Sequence, residues 1–296
     1  MTAMPRHAPP VPPAAPESDM GLLLDILSTA AMLFIVTAGL MIIFGVMKIV
    51  NFAHGAILTL GSYASLVVTQ LGLNPWLALP FALAVGVLVG MGVERLIVQP
   101  LYKRPLDAIL ATWGLGIVIG QLITMAFGRE VQFVDSPVQG AVSFLGTEYS
   151  AYRLFLVPGA LLMYAAMSLL LNGTRFGVRT RAVIMNEDLA RGLGINAERI
   201  RFTTFGLGAG LGALAGALIT PLSSVDPNMG LPWLVSAFML VMVSGHSITA
   251  LMLTCLVYGA CQVLVSVYVS PILGGVTIAV LAALTLRLRP QGFAHD

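Results

Sequence analysis

Charged residues are scarce in this sequence, with only 9% of its 296 residues being Asp, Glu, Lys or Arg, against about a quarter in an average soluble domain. None occurs from Ile49 to Val93, and none from Pro227 to Leu286. Because a spanning helix needs roughly 20 mostly apolar residues, the second stretch alone accommodates two or three crossings. With 58% hydrophobic residues, the sequence predicts a membrane protein embedded in lipid.

Motifs of common enzymes are also missing. The sequence contains no G-x-x-x-x-G-K-[ST] phosphate loop and no H-E-x-x-H zinc pattern. The two cysteines, Cys255 and Cys261, lie in apolar sequence at a spacing that matches no metal motif. We therefore expect no enzymatic activity, no metal site and no bound cofactor, and any ATP-driven function needs a nucleotide site on another chain. The net charge of +2 is too small to indicate nucleic-acid binding.

The chain begins with a proline-rich segment, which predicts a disordered tail over residues 1–20. Residues 21–290 form the predicted transmembrane domain, which includes the polar loop 172–201. Met20 is an alternative start to Met1.

The apolar segments predict an all-α fold, a polytopic helical bundle of about 8–10 transmembrane helices with a polar cytoplasmic loop. The predicted spans are Leu22–Met47, Ala56–Leu71, Trp76–Val93, Ala108–Phe127, Leu154–Leu171, Phe202–Leu222 and about three more, divided near Gly245 and near Pro271. Basic residues favour the cytoplasmic side, so the basic segments 95–104, 172–201 and 287–289 lie inside and the acidic loop 128–152 outside. This arrangement gives about nine crossings with the N-terminus outside.

Glycines recur at four-residue spacing, as in Gly208, Gly212 and Gly216, and again in Gly86 and Gly90 and in Gly116 and Gly120. That spacing places small residues on one helix face, where two helix backbones can approach closely. It predicts a packed bundle, most strongly for residues 206–216.

Polar residues interrupt the apolar sequence at VNFAHG, residues 50–55, where Asn51, His54 and Gly55 are the candidate substrate-pathway residues. Polar side chains within the bilayer usually face a cavity or the bundle interior, and a broken helix exposes backbone N–H groups that suit a carboxylate. The alternative is an ordinary helix boundary at the cytoplasmic interface beside Lys48. A re-entrant segment here would change the number of crossings to eight or ten. Asp226, before Pro227, is similarly either a turn residue on the outer side or a substrate contact.

The long polar interval 172–201 contains six of the fifteen Lys and Arg residues. Gly177–Met185 predicts one short helix, and Asn186 is a good N-cap for a second helix over Glu187–Leu193 that ends at Gly194. Asn196 is a candidate cap at the approach to the sixth span. A structured loop of this polarity is a natural docking surface for a soluble partner. The alternative is a solvated basic loop that only sets the orientation in the membrane.

Two segments carry a family resemblance. GLMIIFGVMKIVNFAHGAILTLGSYAS, residues 39–65, resembles the N-terminal signature of branched-chain amino acid ABC transporter permeases, in the NFAHG-containing subunit type of the leucine, isoleucine and valine system. Residues 174–230 resemble the cytoplasmic loop and the following helix of the same family. The proline-rich head and the segment Val241–Thr249 depart from the usual family pattern.

The resemblance implies a multi-pass permease of the bacterial inner membrane that pairs with a second permease subunit, two ATP-binding subunits and a periplasmic or lipid-anchored substrate-binding protein. The partner subunits use the ATP, and membrane lipid surrounds the bundle. In such permeases this loop contacts the ATPase. The coupling residues expected here are Arg179, Arg181, Ala182, Asn186, Glu187, Ala190, Gly194 and Ile195.

The function implied is import of branched-chain amino acids by alternating access. Urea, short amides or aromatic acids are alternative substrates within the same importer class. A secondary transporter or channel is an alternative from another class, although the long spans contain almost no acidic residues for ion coupling. A purely structural membrane subunit is the third possibility.

Overall fold

The computed structural model describes residues 19–144 and 147–289, so residues 1–18 of the tail predicted over residues 1–20 lie outside them, and the last two residues of that tail belong to the first helix. The chain folds into helices joined by short connections, as the all-α prediction requires. The helices are α1 Asp19–Met47, α2 His54–Gln70, α3 Ala78–Val93, α4 Pro105–Phe127, α5 Ala151–Gly173, α6 Arg175–Met185, α7 Glu187–Gly192, α8 Ala197–Ile219, α9 Gly230–Ser244, α10 Ile248–Tyr268 and α11 Pro271–Leu288. Short 3-10 turns occur at Pro75–Leu77, Gln99–Leu101 and Thr220–Leu222, and a π-helical turn at Glu94–Val98.

Within the described residues, seven helical segments are long and apolar enough to cross a membrane: α1, α3 with its flanking turns, α4, α5, α8 with the turn after it, α10 and α11. Two further helices of the bundle, α2 and α9, are shorter, with 17 and 15 residues. The last apolar block divides at Gly245 and before Pro271, as predicted. The first helix begins at Asp19, three residues before the predicted Leu22.

One element was missed by the sequence interpretation, which treated residues 128–152 as a plain polar loop. The loop contains an antiparallel hairpin of β1 Ala141–Phe144 and β2 Thr147–Ser150. Tyr149 on β2 donates a hydrogen bond to Asp25 Oδ1 at 2.8 Å, and its hydroxyl lies 2.7 Å from Ser28 Oγ. The hairpin is thereby attached to the first half of α1.

The opposite end of α1 contacts the polar interval that contains α6 and α7. Val46 packs in a small apolar cluster with Val183 of α6 and with Ala197 and Ile200 at the start of α8. The acidic loop and the basic loop therefore lie at opposite ends of the bundle. This separation agrees with the orientation assigned from the positive-inside rule, with the start of α1 outside.

Helix α8 is the central element of the bundle because α1, α2 and α3 all pack directly on its glycine and alanine residues. A Cβ atom on Gly86 of α3 would lie 2.5 Å from Ala213 Cβ, and one on Gly61 of α2 would lie 1.8 Å from the Ala213 carbonyl oxygen. A Cβ atom on Gly208 would lie 2.6 Å from the carbonyl oxygen of Gly39 in α1. The close packing predicted for residues 206–216 is confirmed.

Candidate functional site

The break between α1 and α2 carries the chain back into the bundle. Helix α1 ends at Met47, and Lys48 has a φ of +52°, an uncommon value for a residue other than glycine. His54, the first residue of α2, has its Nε2 atom 3.2 Å from the carbonyl oxygen of Val36. Since Val36 precedes Met47 by about 16 Å along the helix axis at 1.5 Å per residue, α2 begins deep inside the bundle.

Helix α9 begins directly beside the start of α2. A Cβ atom on Gly230 would lie 1.9 Å from the carbonyl oxygen of Gly55, so this contact accommodates only glycine. The backbone N–H of Gly230 also donates a hydrogen bond to Thr59 Oγ1 at 3.2 Å. The amino-terminal ends of two short helices thus meet inside the bundle, and each carries a partial positive charge.

A cavity of about 580 Å³ lies against these two helix ends and is closed on its other side by α4. Its apolar wall includes Phe52 and Trp113, whose rings meet edge to face at 5.5 Å. Polar side chains complete the lining: Thr59, Gln121, Thr124, Arg129, Asp226 and Asn228. The cavity therefore combines an aromatic surface with two helix amino-termini and with one acidic and one basic side chain.

The outer part of the cavity is held by the turn between α8 and α9. Asp226 Oδ1 accepts a hydrogen bond from the backbone N–H of Asn228 at 2.9 Å, which confirms the predicted turn role of Asp226. Asp226 also lines the cavity. Val225 and Gln132 exchange two backbone hydrogen bonds of 2.8 and 2.9 Å, which tie this turn to the loop after α4.

The three residues predicted for the substrate pathway occupy different positions. Gly55 lines the cavity, whereas Asn51 and His54 are almost fully buried and are not part of its lining. His54 lies between α1 and α8, where a Cβ atom on Gly212 would lie 2.7 Å from its Cε1 atom. Among the described residues, neither Asn51 Nδ2 nor His54 Nδ1 has a hydrogen-bond partner.

Sequence reasoning missed the contribution of α4. This helix supplies Trp113, Gly116, Gly120 and Gln121 to the cavity wall. A Cβ atom on Gly116 or Gly120 would have its nearest neighbour at 3.7 or 3.6 Å, so these glycines do not pack tightly as those of α8 do. A glutamine within an apolar helix, directly after the Gly116 and Gly120 pair, was the available signal.

At the cytoplasmic end, the polar interval has the two helices and the caps that were predicted. Asn186 Oδ1 accepts a hydrogen bond from Leu189 N at 2.9 Å, and Asn196 Oδ1 accepts one from Arg199 N at 2.9 Å. Gly194 has a φ of +83° and closes α7, with Ile195 N donating to the Ala190 carbonyl oxygen at 3.0 Å. Helix α6 begins at Arg175, two residues before the predicted start, because Thr174 caps it.

The eight predicted coupling residues divide into a buried, an exposed and a partly buried group. Ala190 is 2% exposed and packs with Val183 and Ile200 against the end of the bundle. Arg179, Arg181, Asn186 and Gly194 are exposed, and Ala182, Glu187 and Ile195 are partly buried. Three large apolar side chains on the same element also face solvent, which the sequence interpretation did not identify: Met185, Leu189 and Leu193, at 86%, 62% and 73% exposure.

A cluster of charged and aromatic side chains connects α7 to the turn between α3 and α4. Glu187 accepts hydrogen bonds from Arg191, at 2.8 Å, and from Arg201. The Arg201 guanidinium lies over the ring of Tyr102, 4.4 Å from its centre. The Tyr102 hydroxyl donates a hydrogen bond to Glu94 Oε1. Burial is the main cause that raises the pKa of Tyr102 far above its usual range, and the hydrogen bond to Glu94 is the second cause.

Comparison with known proteins gives consistent matches over nearly the whole chain. The sequence profile of the family described as branched-chain amino acid transport system, permease component, matches residues 22–292. The chain is 26% identical over 278 residues to a probable branched-chain amino acid transport permease protein LivH of Methanocaldococcus jannaschii, covering 88% of each. It is 26% identical over 275 residues to the high-affinity branched-chain amino acid transport system permease protein LivH of Escherichia coli, covering 87% of this chain and 89% of that protein.

More distant matches include the ribose import permease protein RbsC of Haemophilus influenzae, 27% identical over 202 residues and covering 67% of this chain and 61% of that protein. Among solved structures, PsaBC from Streptococcus pneumoniae in complex with Fab is similar, with a TM-score of 0.50 and 13% identity, over 91% of this chain and 92% of that one. The structural match is a similarity of fold alone.

Proposed function

The chain belongs to the branched-chain amino acid transport permease family and is a multi-pass inner-membrane protein, and on that premise we propose that it is the membrane-spanning subunit of an ATP-driven importer of branched-chain amino acids. The observation that carries this proposal is the folded element formed by α6 and α7. It lies at the basic end of the bundle and exposes apolar side chains to water, while the sequence has no phosphate loop of its own.

We assign the docking of the ATP-binding subunit to α6 and α7. Exposed apolar side chains surrounded by polar ones are typical of protein contact surfaces, and Leu189 and Leu193 meet that description. The arginines Arg179 and Arg181 lie exposed on α6 and supply charge at the edge of this surface. Asn186, Ala190 and Gly194 set the position of α7 through its two caps and its buried face, while Ala182, Glu187 and Ile195 complete the junction with α6 and α8.

We assign the substrate pathway to the cavity between α2, α4 and α9. The amino-termini of α2 and α9 favour a carboxylate, and Phe52 and Trp113 offer an apolar surface for a branched side chain. Asp226 can accept hydrogen bonds from an ammonium group, as a zwitterionic amino acid requires. Gly55 lines this cavity. Asn51 and His54 do not line it, and as buried residues they support the lining through packing.

The proposed assembly contains a second permease subunit, two ATP-binding subunits and a periplasmic or lipid-anchored substrate-binding protein. ATP binding brings the ATPase subunits together, α6 and α7 move with them, and the cavity alternates between the two sides of the membrane. The family relationship supports an importer with other subunits, and the subunit composition is part of the proposal.

Uptake into proteoliposomes containing the reconstituted complex tests the function. Uptake of labelled leucine is expected to require ATP on the side of α6 and α7 and the binding protein on the other side. Competition with valine, urea, a short amide and an aromatic acid identifies the substrate class. ATP-independent uptake would contradict the proposal and indicate a secondary transporter or channel.

A surface variant tests the docking assignment. Leu189→Asp places a charge on the exposed apolar face of α7 without altering its buried side, and we expect at least a tenfold loss of ATPase-subunit binding in detergent. Val142→Asp, which also replaces an exposed apolar residue by a charged one but on the outer hairpin, is the matched control and should bind normally. Equal binding by both variants would place the ATPase contact elsewhere.

A further inference from the structure

Arg201, in the second turn of α8, contacts two other parts of the chain at the cytoplasmic end. On one side it forms an ion pair with Glu187, the first residue of α7, and on the other it covers the ring of Tyr102 at 4.4 Å. Its side chain is 16% exposed, and among the described residues its Nε atom has no hydrogen-bond partner. The side chain is thus enclosed between α7 and the α3–α4 turn.

Tyr102 precedes α4, which begins at Pro105, and its side chain packs in the same apolar cluster as Ala108 of α4. Its hydroxyl is bound by the almost fully buried Glu94 in the π-helical turn at the end of α3. π-helical turns within helices are often found at functional positions. Tyr102 therefore connects the α3–α4 turn to the end of α3 through Glu94 and to α8 through Arg201, which in turn binds Glu187 of α7.

Helix α4 leads from this turn to the cavity. Trp113, Gly116 and Gln121 of α4 form one wall of the cavity, and the helix runs without a break from Pro105 to Phe127. A displacement of its first turn therefore moves the cavity wall as well. The chain of contacts from α7 to the cavity passes through Glu187, Arg201 and Tyr102.

Stability alone is a weak explanation for this arrangement. Removing charges from water is costly, and well-packed apolar residues can often replace a buried ion pair without loss of stability. Arginine, however, can bind a carboxylate and stack on an aromatic ring at the same time through its planar guanidinium, which lysine does not do. Arg201 uses both properties, toward Glu187 and Tyr102.

We propose that Arg201 is a positioning residue that transmits the displacement of α7 to α4 through its paired contacts with Glu187 and Tyr102. This inference rests on the proposed docking of the ATPase on α6 and α7. Movement of α7 draws Glu187 and, with it, the Arg201 side chain, whose ring contact displaces Tyr102 and the first turn of α4. The cavity wall then changes its position in step with the nucleotide state of the partner.

The test uses the whole reconstituted complex and measures leucine uptake and ATP hydrolysis in the same proteoliposomes. Arg201→Lys keeps the charge but removes the planar stacking group, so we expect uptake per ATP hydrolysed to fall at least tenfold while hydrolysis and assembly persist. Tyr102→Leu breaks the same link from its other side and should give the same loss. Arg199→Lys, at an exposed position two residues before Arg201 on α8, is the matched control and should keep the wild-type ratio of uptake to ATP hydrolysis.

Combining Arg201→Lys with Tyr102→Leu distinguishes a shared step from two separate defects. If both residues act in one link, the double variant has about the same ratio as either single variant, since coupled sites are not additive. Multiplied losses, or an unchanged ratio in both single variants, would overturn the inference. If Arg201 had a purely structural role, the variants would lower the amount of assembled complex, while the remaining complex would keep the wild-type uptake per ATP hydrolysed. That result would also overturn the inference.

Failure of this inference differs from failure of the docking assignment. If Leu189→Asp still binds the ATPase subunits normally, the docking assignment is wrong. If Leu189→Asp abolishes binding but Arg201→Lys keeps the wild-type ratio, the docking assignment stands and only the link through Arg201 is wrong.

Discussion

Gly55 and Gly230 contact each other through their backbones, so that a Cβ atom on Gly230 would lie 1.9 Å from the carbonyl oxygen of Gly55. This contact holds the amino-termini of α2 and α9 side by side at the cavity. Neither residue can gain a side chain without separating the two helices.

Gly230→Ala is therefore expected to destabilise the bundle by about 1–3 kcal/mol, the usual effect of added atoms in a packed core. The thermal stability of the purified protein in detergent, followed by size-exclusion chromatography, measures this change. Gly275→Ala is the control, because a Cβ atom there has no neighbour within 4 Å. Equal stability of the two variants would show that the α2–α9 contact is looser than the structure indicates.

Residues on α4 offer a test of the cavity without damage to the core. Gly116→Leu adds a side chain toward the cavity from a position where a Cβ atom has its nearest neighbour at 3.7 Å. We expect normal folding and at least a tenfold loss of leucine uptake because the added side chain fills the pathway. Gly114→Leu on the same helix, where no atom lies within 4 Å of a Cβ, should transport normally. Normal uptake by Gly116→Leu would exclude this cavity as the pathway.

His54 is expected to act through packing and position. Its imidazole lies against Gly212, and its Nε2 atom must donate to Val36, since a carbonyl oxygen only accepts. His54→Ala leaves a void and should cost about 2–5 kcal/mol, as truncation of large buried side chains does. Thermal stability should fall while the ranking of competing substrates stays the same, and His246→Ala serves as a control because His246 is exposed. A changed substrate ranking would place His54 in direct contact with the substrate.

At the outer end, Tyr149 attaches the hairpin to α1 and should give this contact a pH dependence. Burial raises the pKa of Tyr149 above its usual range, with hydrogen bonding to Asp25 also contributing. The stabilising contribution of the neutral hydroxyl is complete below the ordinary tyrosine pKa of about 10 and is lost as the pH rises through the higher folded value. Protection of residues 141–144 from hydrogen exchange, relative to the base-catalysed rate of unstructured amides, should therefore fall at high pH in the wild type.

Tyr149→Phe provides the comparison for that experiment. Without the hydroxyl, exchange in the hairpin should already be faster at neutral pH, by about the factor of ten that a hydrogen bond to a charged group represents. The Tyr149→Phe variant should also show no further loss of hairpin protection at high pH. The same pH profile in both proteins would show that the Tyr149–Asp25 contact does not hold the hairpin.

The sequence was sufficient for those features that depend on local chemistry. Long apolar segments predicted the spans, Asn186 and Asn196 predicted helix starts, and the glycine spacing of 206–216 predicted the packing of α8. Each of these depends on residues within one or two helical turns of each other. Several helices begin before their predicted starts: α6 after its Thr174 cap, α4 at Pro105 and α8 after its Asn196 cap.

Features that depend on distant residues were not predictable in this way. The cavity brings together Phe52 from the α1–α2 connection and Trp113 from α4, and Arg201 meets Tyr102 although the two residues are far apart in the sequence. The hairpin was missed because its short strands have little apolar alternation to distinguish them from a loop. Asn51 and Gly55 are close in sequence, but only the position of α9 determines which of them reaches the cavity.

The packing of α8 also limits how this protein can change by mutation. Glycine is the smallest residue, so every substitution at Gly208, Gly212 or Gly216 adds atoms where α1 or α2 is already in contact with α8. A saturation library grown on leucine as the only nitrogen source should therefore contain almost no surviving variants at these three codons. New substrate preferences are expected to arise instead from codons for α4, whose Gly116 and Gly120 have space beside them.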